Sequence, residues 1–237
     1  MSCLHPDLSL NTLEPMDSLV LYNYYRSSTS YRVRIALHLK NLPFEYKAVH
    51  LLNNGGEQFS ESYLKINPQA EVPTLIHNQK MIGQSMAIIE YLDEVFPQSP
   101  LFPNDSYKKA QVRQFCENIN SFIHPVCNLK VLKKLELDCG YTQVQKEAWI
   151  QHWSGIGFNT LETIAKQTSG KYCFADQITA ADLFLVPMMF SAKRFHVNLD
   201  KFVTLNEIAS RLQSLEAFQK AHPSVQPDTP IESRPQS

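Results

Sequence analysis

The sequence predicts an α/β unit followed by an all-α unit, and three observations carry that expectation. A strand, a hydroxyl-rich loop and a helix follow one another from Leu19 and lead into a second strand. Pro97, Pro100 and Pro103 fall within seven residues, and three positions so hostile to a helix mark a boundary near residue 103. Beyond Asp105 the apolar spacing is helical almost throughout.

Residues 1–17 lack periodicity and carry Pro6 and Pro15, so they read as a flexible leader. Residues 19–24 have the composition of a buried strand. The polar run Arg26-Ser27-Ser28-Thr29-Ser30 follows, and within residues 31–40 Val33, Ala36 and Leu37 recur at i, i+3 and i+4, the spacing of one helical face. Asn41-Leu42-Pro43 ends that helix, and residues 44–51 read as a second strand, parallel to the first because a helix connects them. Phe59 and Tyr63 stand at helical spacing in the polar segment that starts with Asn53-Asn54-Gly55-Gly56 and ends with Asn67-Pro68. Residues 72–76 and 80–82 form a predicted hairpin around His77-Asn78-Gln79, with Pro73, which cannot donate to a ladder, at an edge or bend. After Gln84-Ser85, the residues Ile88, Ile89, Leu92 and Val95 or Phe96 mark one apolar helical face, with Ser85 as the expected N-cap. The first unit, residues 18–103, thus has the order β-α-β-α-β-β-α.

The second unit, residues 104–222, is expected to be all-α, with helices at about 105–138, 142–167, 179–193 and 204–220. Thr179-Ala180-Ala181-Asp182 has the shape of a capping box with Asp in place of Glu, and Ile178 is placed to pack on Leu183. That motif is read as a folding signal. Pro223, Pro227, Pro230 and Pro235 make residues 223–237 an expected extended tail.

Composition narrows the function. Lys plus Arg number 22 and Asp plus Glu 23, with no long block of one sign, which argues against the clustered basic surface that nucleic acid requires. The strongest apolar stretch, residues 183–190, contains Pro187 and is far short of the ~20 residues that cross a bilayer, so no membrane partner is expected. The first eighteen residues hold Asp7, Glu14 and Asp17 and no Lys or Arg, unlike a secretory or mitochondrial leader, so the cytoplasm is the expected location. Five cysteines without a Cys-x-x-Cys pair, and eight histidines without His-Glu-x-x-His spacing, predict neither a disulfide framework nor a metal site.

The first candidate site is the loop Ser27-Ser28-Thr29-Ser30. It lies between a strand and a helix N-terminus, where free N–H groups and the positive end of the helix dipole favour an anion such as a thiolate. A serine hydroxyl there can donate to a thiolate and lower the pKa of a bound thiol. The loop holds no cysteine, so the thiol would have to arrive as a cosubstrate. Helix capping is the alternative reading. Gln84-Ser85, at a second helix N-terminus, could hold a carboxylate or simply cap. The backbone of Val72, if Pro73 is cis, could pair with an extended peptide; a turn proline is the other reading. Arg32 and Arg34 are expected on a solvated helix face, Arg194 is a candidate carboxylate partner, and His124 is either a ligand contact or a satisfied core group.

The run Arg26-Ser27-Ser28-Thr29-Ser30-Tyr31-Arg32-Val33-Arg34-Ile35-Ala36-Leu37 resembles the signature of the zeta-class glutathione transferases, the maleylacetoacetate isomerases, usually Ser-Ser-Cys-x-x-Arg-Val-Arg-Ile-Ala-Leu. Asn67-Pro68, Val72-Pro73-Thr74-Leu75, Gln84-Ser85-Met86-Ala87-Ile88-Ile89-Glu90-Tyr91-Leu92, Asn128-Leu129 and Gln226-Pro227-Asp228-Thr229-Pro230 are similar to the same family. The resemblance implies a thioredoxin-like first domain, an all-α second domain, a homodimer, and glutathione as cofactor. Ser27 matches the family's catalytic serine, with Ser28 beside it, and Ser28, Thr29, Ser30, Tyr31 and Arg32 are implied to line the same glutathione-binding loop. Gln58, Val72, Gln84 and Ser85 match positions that hold the tripeptide, Val72 by main-chain bonds. His124, Asn128, Leu129 and Lys130 match a contact patch of the second domain, and Arg194 an arginine that attracts substrate carboxylate. Thr29 stands for a common Cys, Tyr31 for Trp, His124 and Cys127 for Gln, and Lys130 for Ser.

Three readings of function follow from the resemblance. The first is glutathione-dependent cis-trans isomerisation of maleylacetoacetate, a dicarboxylic diketo acid, to fumarylacetoacetate in tyrosine and phenylalanine breakdown. The second is glutathione conjugation or dehalogenation of small electrophiles such as α-halo acids. The third is a non-catalytic interaction module, against which the retention of Ser27, Gln84 and Ser85 counts.

Overall fold

A computed structural model describes residues 18–234 of the chain, so the leader expected over residues 1–17 lies outside the described residues. Strand β1 (Leu19–Asn23) is central in a four-stranded sheet of order β2-β1-β3-β4. It pairs in parallel with β2 (Phe44–Ala48), Leu19 opposite Phe44, and antiparallel with β3 (Thr74–His77), Leu21 opposite Leu75. Strand β4 (Lys80–Gly83) completes the hairpin. Its turn residues Asn78 and Gln79 have φ of 48° and 63°, the left-handed pair that a two-residue hairpin needs to match strand twist.

Two strand ends differ from expectation for local reasons. Beyond β2 the ring of His50 accepts the N–H groups of Leu52 and Asn53, and the Glu57 carboxylate takes the His50 N–H, so side chains rather than a ladder satisfy that backbone. At the other strand, Val72 and Pro73, joined by a cis peptide, precede β3 and leave the ladder to begin at Thr74. Between the strands lie two short 3-10 turns and a single helical turn, α2 (Glu61–Leu64).

Helix α1 (Ser28–Leu39) is buried on nearly its whole circumference: every residue from 28 to 37 except Thr29 is buried. It packs against α3 (Ser85–Val95) of its own unit and against α8 (Ala180–Arg194) and α10 (Glu216–Ala221) of the helical one. The solvated face expected for Arg32 and Arg34 is therefore wrong, since both are 0% exposed. Periodicity within one helix cannot reveal a second layer of protein on its polar side. The proline-rich connection to the helical unit is tied down as well. Lys40 Nζ donates to the carbonyls of Phe96, Gln98 and Ser99 and pairs with Asp93, whose carboxylate also accepts the Leu101 N–H.

The single helix expected over 105–138 is broken. Helix α4 (Ser106–Glu117) runs into a π-helical turn, Asn118–Ile123, then a short α5 (His124–Val126) and a separate α6 (Leu129–Cys139). Pro125 lacks the N–H that an unbroken ladder needs, and Asn128 is extended and caps α6 through its side chain. Helix α7 (Gln143–Thr168) follows a Thr142/Gln145 capping box. The helix expected over 204–220 is likewise two, α9 (Val203–Gln213) and α10, because Leu215 is extended between them. Among the described residues no helix is long and apolar enough to cross a membrane.

The expected extended tail is folded as far as Arg234. Pro223–Val225 and Ile231–Ser233 are 3-10 turns, and between them Asp228 reaches back to the first unit. Proline forbids a helix there but not turns, and the side chains of Gln226, Asp228 and Thr229 supply the hydrogen bonds that order the segment.

Asp182, 0% exposed, closes the start of α8: its carboxylate accepts the Thr179 N–H at 2.8 Å and the Cys173 N–H at 2.9 Å. An asparagine offers one acceptor oxygen where two are used. Asp182→Asn is expected to lose about 1–3 kcal/mol of stability, measured as a fall of several degrees in Tm, with glutathione affinity at 25 °C unchanged.

Candidate active site

A cleft of about 530 Å³ opens where β1 gives way to α1, and residues of both units line it. Ser27 stands at its base as the N-cap of α1, with extended backbone (φ −66°, ψ 122°) and its Oγ accepting the Ser30 N–H at 3.2 Å. Thr29 Oγ1 donates its single proton to the Val72 carbonyl at 2.9 Å. Ser27 is therefore the donor in the 2.8 Å bond between the Ser27 and Thr29 hydroxyls. Rotation about one bond would redirect that proton to an anion in the cleft. Capping and anion binding, weighed as alternatives from sequence, are compatible in one residue because the cap uses the hydroxyl as acceptor and the anion would use it as donor. Thr29 orders the loop through Val72.

The rest of the signature divides into residues that face the cleft and residues that brace it. Ser28 lines the cleft with its Oγ 3.4 Å from His124 Nδ1. Ser30, Tyr31 and Arg32, implied as glutathione contacts, do not line it. Ser30 Oγ accepts the Tyr24 N–H, and Tyr31, 1% exposed, packs edge-on against Phe190 and His222 and donates to the Phe218 carbonyl. Arg32 donates to Ser85 Oγ at 3.1 Å and Asn120 Oδ1 at 3.0 Å, and its guanidinium lies 4.1 Å from the centre of the Phe184 ring. Burial lowers its pKa to about 9. These residues were implied by adjacency in sequence, but a helix turns every side chain 100° from the last, so only some of a run can face one cleft.

Across the cleft stand Gln58, Val72, Gln84 and Ser85. Gln58 is 6% exposed, and its buried Oε1 has no partner among the described residues. Gly56, at φ 115°, leaves space for it: a Cβ there would lie 2.5 Å from the Gln58 amide. Gln84 is the residue before α3 and has φ 66°, a left-handed conformation that costs a non-glycine residue about 1–3 kcal/mol and is typical of functional sites. Ser85 is thus the first helical residue, not the cap expected for it, and its hydroxyl accepts from Arg32.

The helical unit supplies the other wall. The π-helical turn carries Asn120 to Arg32, and His124 follows directly. Burial, with Arg32 and Lys130 adding, pushes the His124 pKa down to about 3, so its ring is neutral. Asn128, Leu129 and Lys130 line the cleft, and Lys130 pairs with Glu71 of the first unit. Cys127 lies 3.8 Å from Ser154 Oγ, and burial holds its thiol up at about 11, which makes it a poor nucleophile. Arg194, in the last turn of α8, shares the cleft with Met188, Ser191 and Phe195. Arg26 also lines it, and burial, with the Arg26 charge adding, lowers the pKa of Arg194. Sequence reasoning missed Arg26 as a site residue, although its place immediately before Ser27 was the available signal.

Residues 21–100 match the model of the glutathione S-transferase N-terminal domain. Maleylacetoacetate isomerase of Rattus norvegicus is 45% identical over 215 residues, covering 91% of this chain and 97% of the relative. A probable maleylacetoacetate isomerase of Vibrio cholerae is 42% identical, covering 90% and 99%. Among solved structures, the holo form of maleyl pyruvate isomerase, a bacterial zeta-class glutathione S-transferase, superposes with a TM-score of 0.86 at 37% identity, covering 89% of this chain and all of that one. Maleylacetoacetate isomerase from Anaeromyxobacter dehalogenans with bound glutathione superposes with a TM-score of 0.79 at 37% identity, covering 90% and 98%. With a serine-capped first helix, a thioredoxin-like sheet and relatives matched over nearly their full length, this chain belongs to the zeta-class glutathione transferases, the maleylacetoacetate isomerase family.

Proposed function

We infer that the chain catalyses the glutathione-dependent cis-trans isomerisation of maleylacetoacetate to fumarylacetoacetate, a step of tyrosine and phenylalanine breakdown. The observation that carries this reading is the Ser27 hydroxyl at the N-terminus of α1, below a cleft that also holds Arg26 and Arg194. The residues present fit glutathione: the unpartnered Oε1 of Gln58 suits an N–H donor, and the start of α3 at Gln84 and Ser85 suits a carboxylate. The chemistry glutathione supplies when bound is reversible thiolate addition to the conjugated cis double bond, which becomes single, rotates, and is restored trans.

The chain's own residues then have separable tasks. Ser27 donates to the sulfur and, with the α1 dipole, holds it anionic. Ser28 shapes the same corner against His124. Gln58, Val72, Gln84 and Ser85 hold the tripeptide, with Asn128, Leu129 and Lys130 on the opposing wall. Arg26 and Arg194 orient the two carboxylates of the diketo acid, so the cis bond meets the sulfur in one pose. His124 is neutral and adds no charge to the cleft. The paired guanidiniums favour this dicarboxylate over the uncharged electrophiles of general conjugation.

The same reading divides the chain near residue 103 and makes the protein a cytoplasmic homodimer. Exposed Phe59 and Met81, at 60% and 52%, support a partner surface on the first unit.

Two outcomes test this. Ser27→Ala is expected to lower kcat for maleylacetone isomerisation about 10²–10³-fold, as loss of one donor to a reacting anion does; undiminished turnover, or full turnover without glutathione, would overturn the reading. Arg194→Gln and Arg26→Gln are each expected to raise KM for the dicarboxylate about tenfold or more, while KM for an uncharged aryl halide stays unchanged in the conjugation assay.

A further inference from the structure

The segment Gln226-Pro227-Asp228-Thr229-Pro230 is marked by its resemblance, yet it lines no part of the cleft. Its structure is nonetheless specific. Gln226, 5% exposed, donates through Nε2 to the carbonyls of Lys220 and His222, at the end of α10. Thr229, 3% exposed, donates its hydroxyl to the Pro223 carbonyl. Arg234 closes the turn on the carbonyls of Thr229 and Pro227. These bonds fold the strap on itself and present Asp228 to the first unit.

Asp228 meets the backbone at the turn that delivers Ser27. Residues 24–27 form a tight turn closed by the Ser27 N–H to the Tyr24 carbonyl at 3.0 Å. The Tyr25 N–H in that turn donates to Asp228 Oδ2 at 3.0 Å. The two carbonyls of the same turn, Tyr24 and Tyr25, accept from Arg34 at 3.3 and 2.9 Å. Oδ1 of Asp228 accepts from Tyr46 OH on β2. Arg34 and Asp228 therefore grip the turn from opposite electrostatic ends, one by its carbonyls and one by its N–H. The turn contains Arg26 and ends at Ser27.

We propose that Asp228 is a positioning residue for the thiolate site: through the Tyr25 N–H, the C-terminal strap sets the turn that aims the Ser27 hydroxyl and the Arg26 guanidinium into the cleft. The strap belongs to the helical unit in sequence and acts on the first unit in space, so it joins the end of the chain to the glutathione chemistry. The proposal rests on the Ser27 reading above. Other charged or titratable groups facing this corner are the side chains of Tyr24 and Arg26 on the turn, Glu71 of the first unit, His124, Cys127, Lys130 and Lys133 on the opposing wall, and Arg194 on α8. None of them bonds the turn's backbone among the described residues.

The test uses the full chain and two readouts. In the glutathione-free protein, hydrogen exchange of the peptide covering residues 24–27 is expected to speed up at least tenfold in Asp228→Ala. In the glutathione complex, the midpoint pH of thiolate formation, followed by ultraviolet absorbance, is expected to rise by about half to one unit, and kcat/KM for maleylacetone to fall about tenfold at pH 7. Asp228→Asn, whose amide oxygen can still accept the Tyr25 N–H, is expected to restore most of both. Glu162→Gln serves as a remote control, since Glu162 accepts the N–H groups of Thr204 and Leu205 far from the turn; it lowers Tm and leaves the midpoint at the wild-type value. If Asp228→Ala is recovered too poorly to titrate, Asp228→Glu, which carries the acceptor one methylene further out, is expected to raise the midpoint in the same direction. A wild-type midpoint and unchanged exchange in the folded Asp228 variants would overturn the proposal. Should Ser27→Ala also leave the midpoint unmoved, the Ser27 reading itself fails; a shift in Ser27→Ala alone rejects the strap and keeps that reading.

Discussion

A guanidinium sealed from water must find a partner for its donors inside the protein, and Arg34 does so by holding together three parts of the chain. It donates to Asn23 Oδ1 at the end of β1, to the carbonyls of Tyr24 and Tyr25 in the turn that follows, and to the Ala221 carbonyl at the end of α10. Leaving such a charge unpaired costs several kcal/mol, so the turn before Ser27 and the short helix α10 are constrained by the same group. Burial lowers its pKa to about 10, yet the side chain remains cationic at neutral pH. Arg32, two residues earlier, projects from another side of α1 and braces Ser85 and Asn120 instead. The two arginines thus fasten one buried helix to both sides of the interface between the units.

That helix makes the chemistry of the cleft possible with no protein nucleophile. Its N-terminus supplies N–H groups and a hydroxyl, the mouth supplies two guanidiniums, and two nearby titratable groups, His124 and Cys127, are held uncharged. His124 is neutral because it is surrounded by protein and by cations, and Cys127 stays a thiol because it is buried. An incoming anion therefore meets donors and positive charge; Glu71, which lines the cleft, is engaged by Lys130, and Asp228 by the Tyr25 N–H and the Tyr46 hydroxyl. The strained backbone of Gln84 belongs to the same design, since it turns the start of α3 toward the cleft.

The elements that could be read directly were those whose signal is local. The Ser27 loop, the hairpin around Asn78-Gln79 and the capping of α8 by Asp182 each depend on residues within four positions of one another. The errors share one cause. The helix expected over 105–138 breaks at a π-helical turn and at Pro125, and these breaks face His124 toward Ser28 and Asn120 toward Arg32. The supposed tail folds because Asp228 finds an N–H some two hundred residues away in sequence. Ser30, Tyr31 and Arg32 sit in the signature but behind the cleft, a division that only the rotation of α1 between two layers establishes.

By itself the chain's order of residues determined the α/β unit followed by helices, the anion-binding start of α1 and the family, because these rest on short-range periodicity, capping and a contiguous motif. Tertiary structure decided which hydroxyl donates to which, which arginines are buried struts and which face the cleft, and where the Asp228 carboxylate finds its partners. Those outcomes depend on partners distant in sequence, and burial, the quantity that sets their charge and hydrogen bonding, is a property of the packed interface rather than of any one segment.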